Sequence, residues 1–133
     1  MGVFGFVSVG VGAVCGAWLR WWLGLVLNPV LPALPLGTLV SNLLGGYLIG
    51  LALGYVEHFQ ALTPEVRLMI TTGFLGSLTT FSAFSAETTT LLLRHEYGWA
   101  ALMISTHLLG SLLMTVLGIA TVALVKGWIG TPP

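Results

Sequence analysis

Long apolar stretches separated by short polar knots run the length of the chain, and stretch length, more than any amphipathic period, carries the first reading. Residues 2–27 hold one charge, Arg20, residues 36–56 hold none, and residues 98–126 hold only a lysine at their end. A helix needs about 20 apolar residues to cross a hydrocarbon core of ~30 Å. Spans are therefore expected at 2–27, 36–56, 64–93 and 98–126. The knots carry their own punctuation. Asn28, Pro29, Pro32 and Pro35 make a loop. Thr63, Pro64 and Glu65 read as a helix start: a hydroxyl cap, a proline in the first turn and a carboxylate at the positive end of the dipole. Trp18, Trp21 and Trp22 suit a membrane interface.

The third span departs from this plan. Unbroken, residues 64–93 would extend ~45 Å at 1.5 Å per residue, so tilt or interruption is expected. Its middle supplies the means: Gly73 and Gly76 weaken a helix through backbone entropy, and Ser77, Thr79 and Thr80 carry hydroxyls that compete for backbone hydrogen bonds. A break is expected near residues 75–80, with helix resuming at Phe81. Non-helical backbone survives inside a bilayer only where protein or a water-filled cavity satisfies its polar groups. The break is thus a candidate ion site.

Composition narrows the class. Of 133 residues, 56% are hydrophobic and 6% charged, with four cations and four carboxylates for a net charge of zero, against roughly a quarter charged in soluble domains. The chain reads as an all-α integral membrane protein embedded in lipid, and nucleic acid has no basic surface to bind. Cys15 is the single cysteine, which excludes an intramolecular disulfide and a thiolate metal cluster. The first 19 residues lack the basic region of a secretory signal, so a retained span is expected there. Gly10, Gly12 and Gly16 are out of register for a dinucleotide loop and follow no strand, which leaves helix packing and no nucleotide. His58 and His95 have no zinc spacing.

Polar residues within the spans are the candidate chemistry. Asn42 shares a helix side with Gly46 and Gly50, and Gly54 continues that ridge, so its amide faces a close contact and serves either as interhelical glue or as a pore group. His107, Ser111 and Thr115 recur every four residues as one polar stripe. Phe81 and Phe84 lie three apart on one helix face, flanked by Ser82 and Ser85. An aromatic ring is electropositive at its edge and favours an anion that approaches in its plane. Glu87 is the acidic residue furthest inside a span, and intramembrane charges mark function.

Four of these elements together resemble the small bacterial fluoride channels of the Fluc or CrcB family: residues 16–21 around Arg20, Pro35-Leu-Gly-Thr-Leu-Val-Ser-Asn42, residues 71–87, and His107-Leu-Leu-Gly-Ser111. The resemblance implies an antiparallel homodimer with four transmembrane helices per subunit and the third helix broken at the dimer centre. It also implies a structural, untransported Na⁺ on the backbone carbonyls of Gly76 and Thr79. Phe81, Phe84 and Asn42 match its pore residues and Arg20 its vestibule cation, while Ser111, the segment around Thr80 and the neighbouring Ser82, Ser85 and His107 would form the polar track. The chain departs from the family pattern at Gly76-Ser77, where Gly-Gly is usual, and at Ala83, where threonine is usual. The implied activity is passive, fluoride-selective export through the bacterial inner membrane, which lowers cytoplasmic fluoride trapped there by ionisation of hydrofluoric acid. Two other readings compete. A proton-coupled multidrug exporter needs a carboxylate where the first span carries Arg20, and a non-transporting packing subunit leaves the break without a purpose. An enzyme is not expected, because no nucleophile, base and orienting group occur together.

Four spans place Arg67 and Lys126 on one side of the membrane and Arg20 and Arg94 on the other, two against two. Lysine and arginine in short loops set orientation, so neither insertion is favoured and dual topology is expected. Two or three lysines added at the carboxyl terminus should bias insertion one way, and the same addition to residues 28–35 the other. Each variant alone should lose fluoride flux and the co-expressed pair regain it. Full flux from one uniformly oriented variant would refute an antiparallel pair.

Overall fold

The structure is a computed structural model that describes residues 2–128, in which every regular element is helical. Helix α1 (Gly2–Leu27) runs into a 3₁₀ turn, Asn28–Val30, and α2 (Leu36–Gly54) follows across the proline loop. The Asn28 side chain closes that loop by accepting the Gly37 amide at 2.7 Å. This satisfies one of the unpaired N–H groups at the start of α2. Tyr55 leaves helical geometry (φ −103°, ψ 36°), so the second span ends there and Val56–Gln60 forms the separate short helix α3. Lys126 donates to the Gly54 carbonyl at 3.3 Å, placing a cation at the negative end of α2.

The third stretch comprises α4 (Pro64–Leu68), a π-helical turn (Met69–Leu75), the single turn α5 (Gly76–Leu78) and α6 (Phe81–Leu93). Thr63 caps α4, its hydroxyl accepting the Val66 amide at 3.3 Å. Gly73 of the π turn lies against α1, where a β-carbon would stand 2.5 Å from the Val9 carbonyl oxygen. Between α5 and α6, Thr79 (φ −84°, ψ 154°) and Thr80 (φ −150°, ψ 113°) are extended. The fourth helix, α7 (Tyr97–Trp128), is continuous. Among the described residues, four stretches are long and apolar enough to cross a membrane: Gly2–Val30, Leu36–Gly54, Pro64–Leu93 and Tyr97–Trp128.

Thr79 and Thr80 also mark a change of packing partner. Leu75 and Leu78, before them, are buried with Leu23 of α1, against Leu19 and Leu44. Leu91, after them, is buried with Ala100 and Met103 of α7 and Leu34 of the loop. Helices α2 and α7 meet along a seam of small residues. A β-carbon on Gly50 would stand 3.0 Å from Cα of Gly118, and one on Gly46 would stand 2.9 Å from the Ser111 carbonyl oxygen. The Thr115 hydroxyl donates to the Gly46 carbonyl at 3.0 Å and Tyr47 to Thr121 at 3.0 Å. Backbone proximity and interhelical hydrogen bonds replace the hydrophobic effect, which does little between helices already in lipid. Outward side chains such as Phe4, Phe6, Trp21 and Leu113 are exposed and apolar, as a lipid-facing surface requires.

Overpacking that seam should be destabilising. Gly50→Ala should cost about 1–3 kcal/mol, the usual penalty for inserting a methyl group into a filled contact. Gly10→Ala, where a β-carbon meets nothing within 4 Å, should be neutral. Thermal unfolding in detergent, followed by size-exclusion chromatography, compares the two; equal midpoints would remove the seam from the account of stability.

Candidate functional site

The site is built around an amide that pairs with a peptide. Thr80 donates its backbone N–H to Asn42 Oδ1 at 2.7 Å, and Asn42 Nδ2 donates to the Thr80 carbonyl at 3.1 Å. This double bond to one residue satisfies the backbone group that leaves the helix, as buried polar groups require. Asn42 Nδ2 also donates to His107 Nδ1 at 3.0 Å. One side chain of α2 thereby joins the extended pair to α7. The Thr80 hydroxyl accepts the Ala83 amide at 3.1 Å, an N-cap that restarts the helix, and contacts the Ser82 hydroxyl at 3.3 Å.

These diversions change the state of two carbonyls. In a continuous helix the Thr80 and Ala83 amides would point back at the carbonyls of Gly76 and Thr79. Here they go to Asn42 and to the Thr80 hydroxyl instead. Arg20 engages a third carbonyl of the same stretch, its Nε donating to Ser77 at 2.9 Å. The structure therefore ties Arg20 to the turn ahead of the extended pair.

Around this core lies a cavity of about 540 Å³. Of the residues singled out in the sequence, Asn42, Gly76, Thr79, Thr80, Phe81, Phe84, His107 and Ser111 line it, whereas Arg20, Ser82 and Ser85 do not. Phe81 and Phe84 meet edge to face, with centroids 5.6 Å apart and planes at 62°. Phe84 in turn lies 4.8 Å from the His107 ring at 35°. Phe81 is 79% exposed at the open side of the cavity, and His107 is buried at its inner wall.

Some of the wall was not apparent in the sequence. Gly45 lines the cavity with its Cα facing the Thr79 methyl, and Thr71 contributes from the π turn. The adjacent glycines at 45 and 46 were the available signal. Glu87 lies outside the cavity wall. One of its oxygens accepts the Thr38 hydroxyl at 2.7 Å, and the other is buried without a partner. Thr38 had a signal too, since it stands one helical turn before Asn42.

Four apolar spans around an intramembrane cavity of amide, hydroxyl, imidazole and aromatic groups define a small multi-pass membrane protein with a polar site among its helices. The sequence profile of the family described as "CrcB-like protein, Camphor Resistance (CrcB)" matches residues 7–119. The chain belongs to that family, a family of bacterial multi-pass membrane proteins. It is 61% identical over 122 residues to a protein of Nitrosospira multiformis named "Fluoride-specific ion channel FluC", covering 92% of this chain and 95% of that one. Proteins of the same name from Cupriavidus taiwanensis and Acinetobacter baumannii are 57% and 53% identical over 121 residues each. Both alignments cover 91% of this chain, with 96% and 95% of the respective relatives.

Proposed function

We propose that this chain is a fluoride-selective channel that exports the ion passively and so lowers its cytoplasmic concentration. The observation that carries the reading is the cavity beside Thr79 and Thr80, whose wall offers the kinds of group that can replace a small anion's hydration shell. Ser111 and Thr80 bring hydroxyls, and Phe81 and Phe84 bring ring edges. Ser82 and Ser85 extend the hydroxyl track along α6, and Arg20 supplies positive potential near the turn that it holds. The names of relatives that align over nine tenths of the chain point the same way. A proton-coupled exporter is disfavoured because no carboxylate lines the cavity among the described residues.

The working form in this reading is an antiparallel homodimer whose third helices are broken where they cross. Its support is the exposure of Phe81 at the cavity and of Ser82 and Ser85 after it on α6. Polar side chains are poorly placed against lipid, and a second copy covers this face. A structural Na⁺ fits the two carbonyls relieved of their helical donors, Gly76 and Thr79, since oxygen ligands suit a hard cation. Bound there, such an ion supplies a fixed positive charge and a tie between subunits.

Liposomes loaded with fluoride or chloride and read by ion-selective electrodes test the main reading. Fluoride should leave and chloride should stay; equal rates would overturn selectivity. Phe81→Ile and Phe84→Ile keep apolar volume but remove the ring edge, and should slow fluoride by about five- to tenfold, the effect of losing ~1–1.4 kcal/mol of stabilisation. Unchanged flux would reduce both rings to packing.

The cation has a separate test. Replacing Na⁺ with choline should lower the thermal midpoint of the purified dimer, because a ligand held only by the folded assembly stabilises it. An identical midpoint in both salts would count against the site.

A further inference from the structure

We propose that the end of the bundle between α3 and the last turn of α7 is a headgroup site for a phospholipid that carries a primary amine, a role separate from the ion path. A second cavity, of about 660 Å³, lies there. Tyr55 departs from helical geometry (φ −103°, ψ 36°), so α3 begins as a new helix instead of extending α2, and the space beside this junction is walled by both helices and by Lys126 of α7. The wall holds no residue of 64–93, the stretch across which the proposed pair of subunits meets.

Position along the chain sets the depth of this cavity. Tyr55 follows the last residue of the second apolar span and Lys126 stands in the last turn of the fourth, so the cavity lies where hydrocarbon gives way to headgroups. Leu51, Phe59 and Leu62 give it apolar wall, and two residues deeper into the spans Leu53 and Leu124 are exposed and apolar. Acyl chains suit that surface. The polar part of the wall combines Glu57 and Lys126, formally a carboxylate and a cation, with the Tyr55 and His58 rings, which meet edge to face at 6.2 Å between centroids. Lys126 is drawn to this wall: its Nζ donates to the Gly54 carbonyl at 3.3 Å and lies 5.3 Å from the centre of the Tyr55 ring.

Those two charges choose the headgroup. A phosphate is drawn to Lys126, while Glu57, whose carboxylate can only accept, is matched by an ammonium, so a headgroup that carries both groups answers both sides of the wall. An anionic headgroup would set a second negative group beside Glu57. A trimethylammonium has the charge but no N–H, and so loses the charge-assisted hydrogen bond that a primary ammonium donates to a carboxylate. A glycerolipid without phosphate would offer Lys126 no anion.

Native mass spectrometry of the purified full-length protein tests the site with four lipids of identical acyl chains: phosphatidylethanolamine, phosphatidylcholine, phosphatidylglycerol and diacylglycerol. Bound phosphatidylethanolamine should exceed each of the others by about threefold, the preference that one exposed ion-pair contact supplies. In Glu57→Gln the excess over phosphatidylcholine should vanish, and in Glu65→Gln, whose carboxylate lies outside the cavity wall, it should persist. The thermal midpoint should follow the same order, rising more with the ethanolamine lipid than with the choline lipid in the parent and equally with both in Glu57→Gln. Equal uptake of the ethanolamine and choline lipids by the parent, or an unchanged preference in Glu57→Gln, would overturn the proposal. So would a preference for phosphatidylglycerol, which would make the site anionic, or diacylglycerol bound as well as phosphatidylethanolamine, which would reduce it to an apolar groove. Fluoride flux enters none of these readouts, so the channel reading stands or falls separately.

Discussion

An extended peptide inside a lipid bilayer has no water to turn to, and the pairing of the Asn42 amide with both polar groups of Thr80 answers that constraint. Other features of the site follow from it. Since Asn42 takes the Thr80 amide, the chain can leave the helix without stranding a donor. The Thr80 hydroxyl, which accepts the Ala83 amide, caps the start of α6. The remaining Asn42 hydrogen reaches α7 and sets the histidine there. One side chain thus links backbone geometry, helix assembly and the chemistry of the cavity wall.

Packing supports this centre through an economy of side-chain bulk. Where α2 meets α7, glycines let the backbones approach until carbonyls and hydroxyls meet directly. Where α1 meets the π turn, Gly12 and Gly73 face each other, and the widened turn brings Thr71 to the cavity. Large residues are kept mainly for the outer surface, where lipid accepts them at little cost. This inverts the arrangement of a soluble domain, because the solvent here is as apolar as the core.

Stretch length and charge sparsity were enough to read four apolar helices, since the thickness of a bilayer is a fixed ruler. The region of Gly76, Thr79 and Thr80 was legible because glycines and hydroxyls change local backbone preference. The two phenylalanines were legible because their spacing puts them on one face. Arg20 was less so: near the end of its stretch it reads as an interfacial cation, but its bond to the Ser77 carbonyl depends on how α1 lies against a segment 57 positions away. The contacts of Thr38 with Glu87 and of Asn42 with His107 are likewise matters of relative helix register, which no local pattern encodes. The π turn was missed for a related reason, since it depends on the close approach of a neighbouring glycine face.

The change of packing partner at Thr79 and Thr80 bears on the order in which the molecule can be assembled. A chain emerging from the ribosome presents α1 and α2 first, and they already provide the bed on which Leu75 and Leu78 lie. The bed for Leu91 comes largely from Ala100 and Met103, which have not yet been synthesised when α6 emerges. The second half of the third stretch must therefore wait beside its own hairpin until α7 enters, and His107 arrives at Asn42 only then. Chain order thus completes the wall last within one subunit: α7, which carries His107 and Ser111, is synthesised after every other part of it.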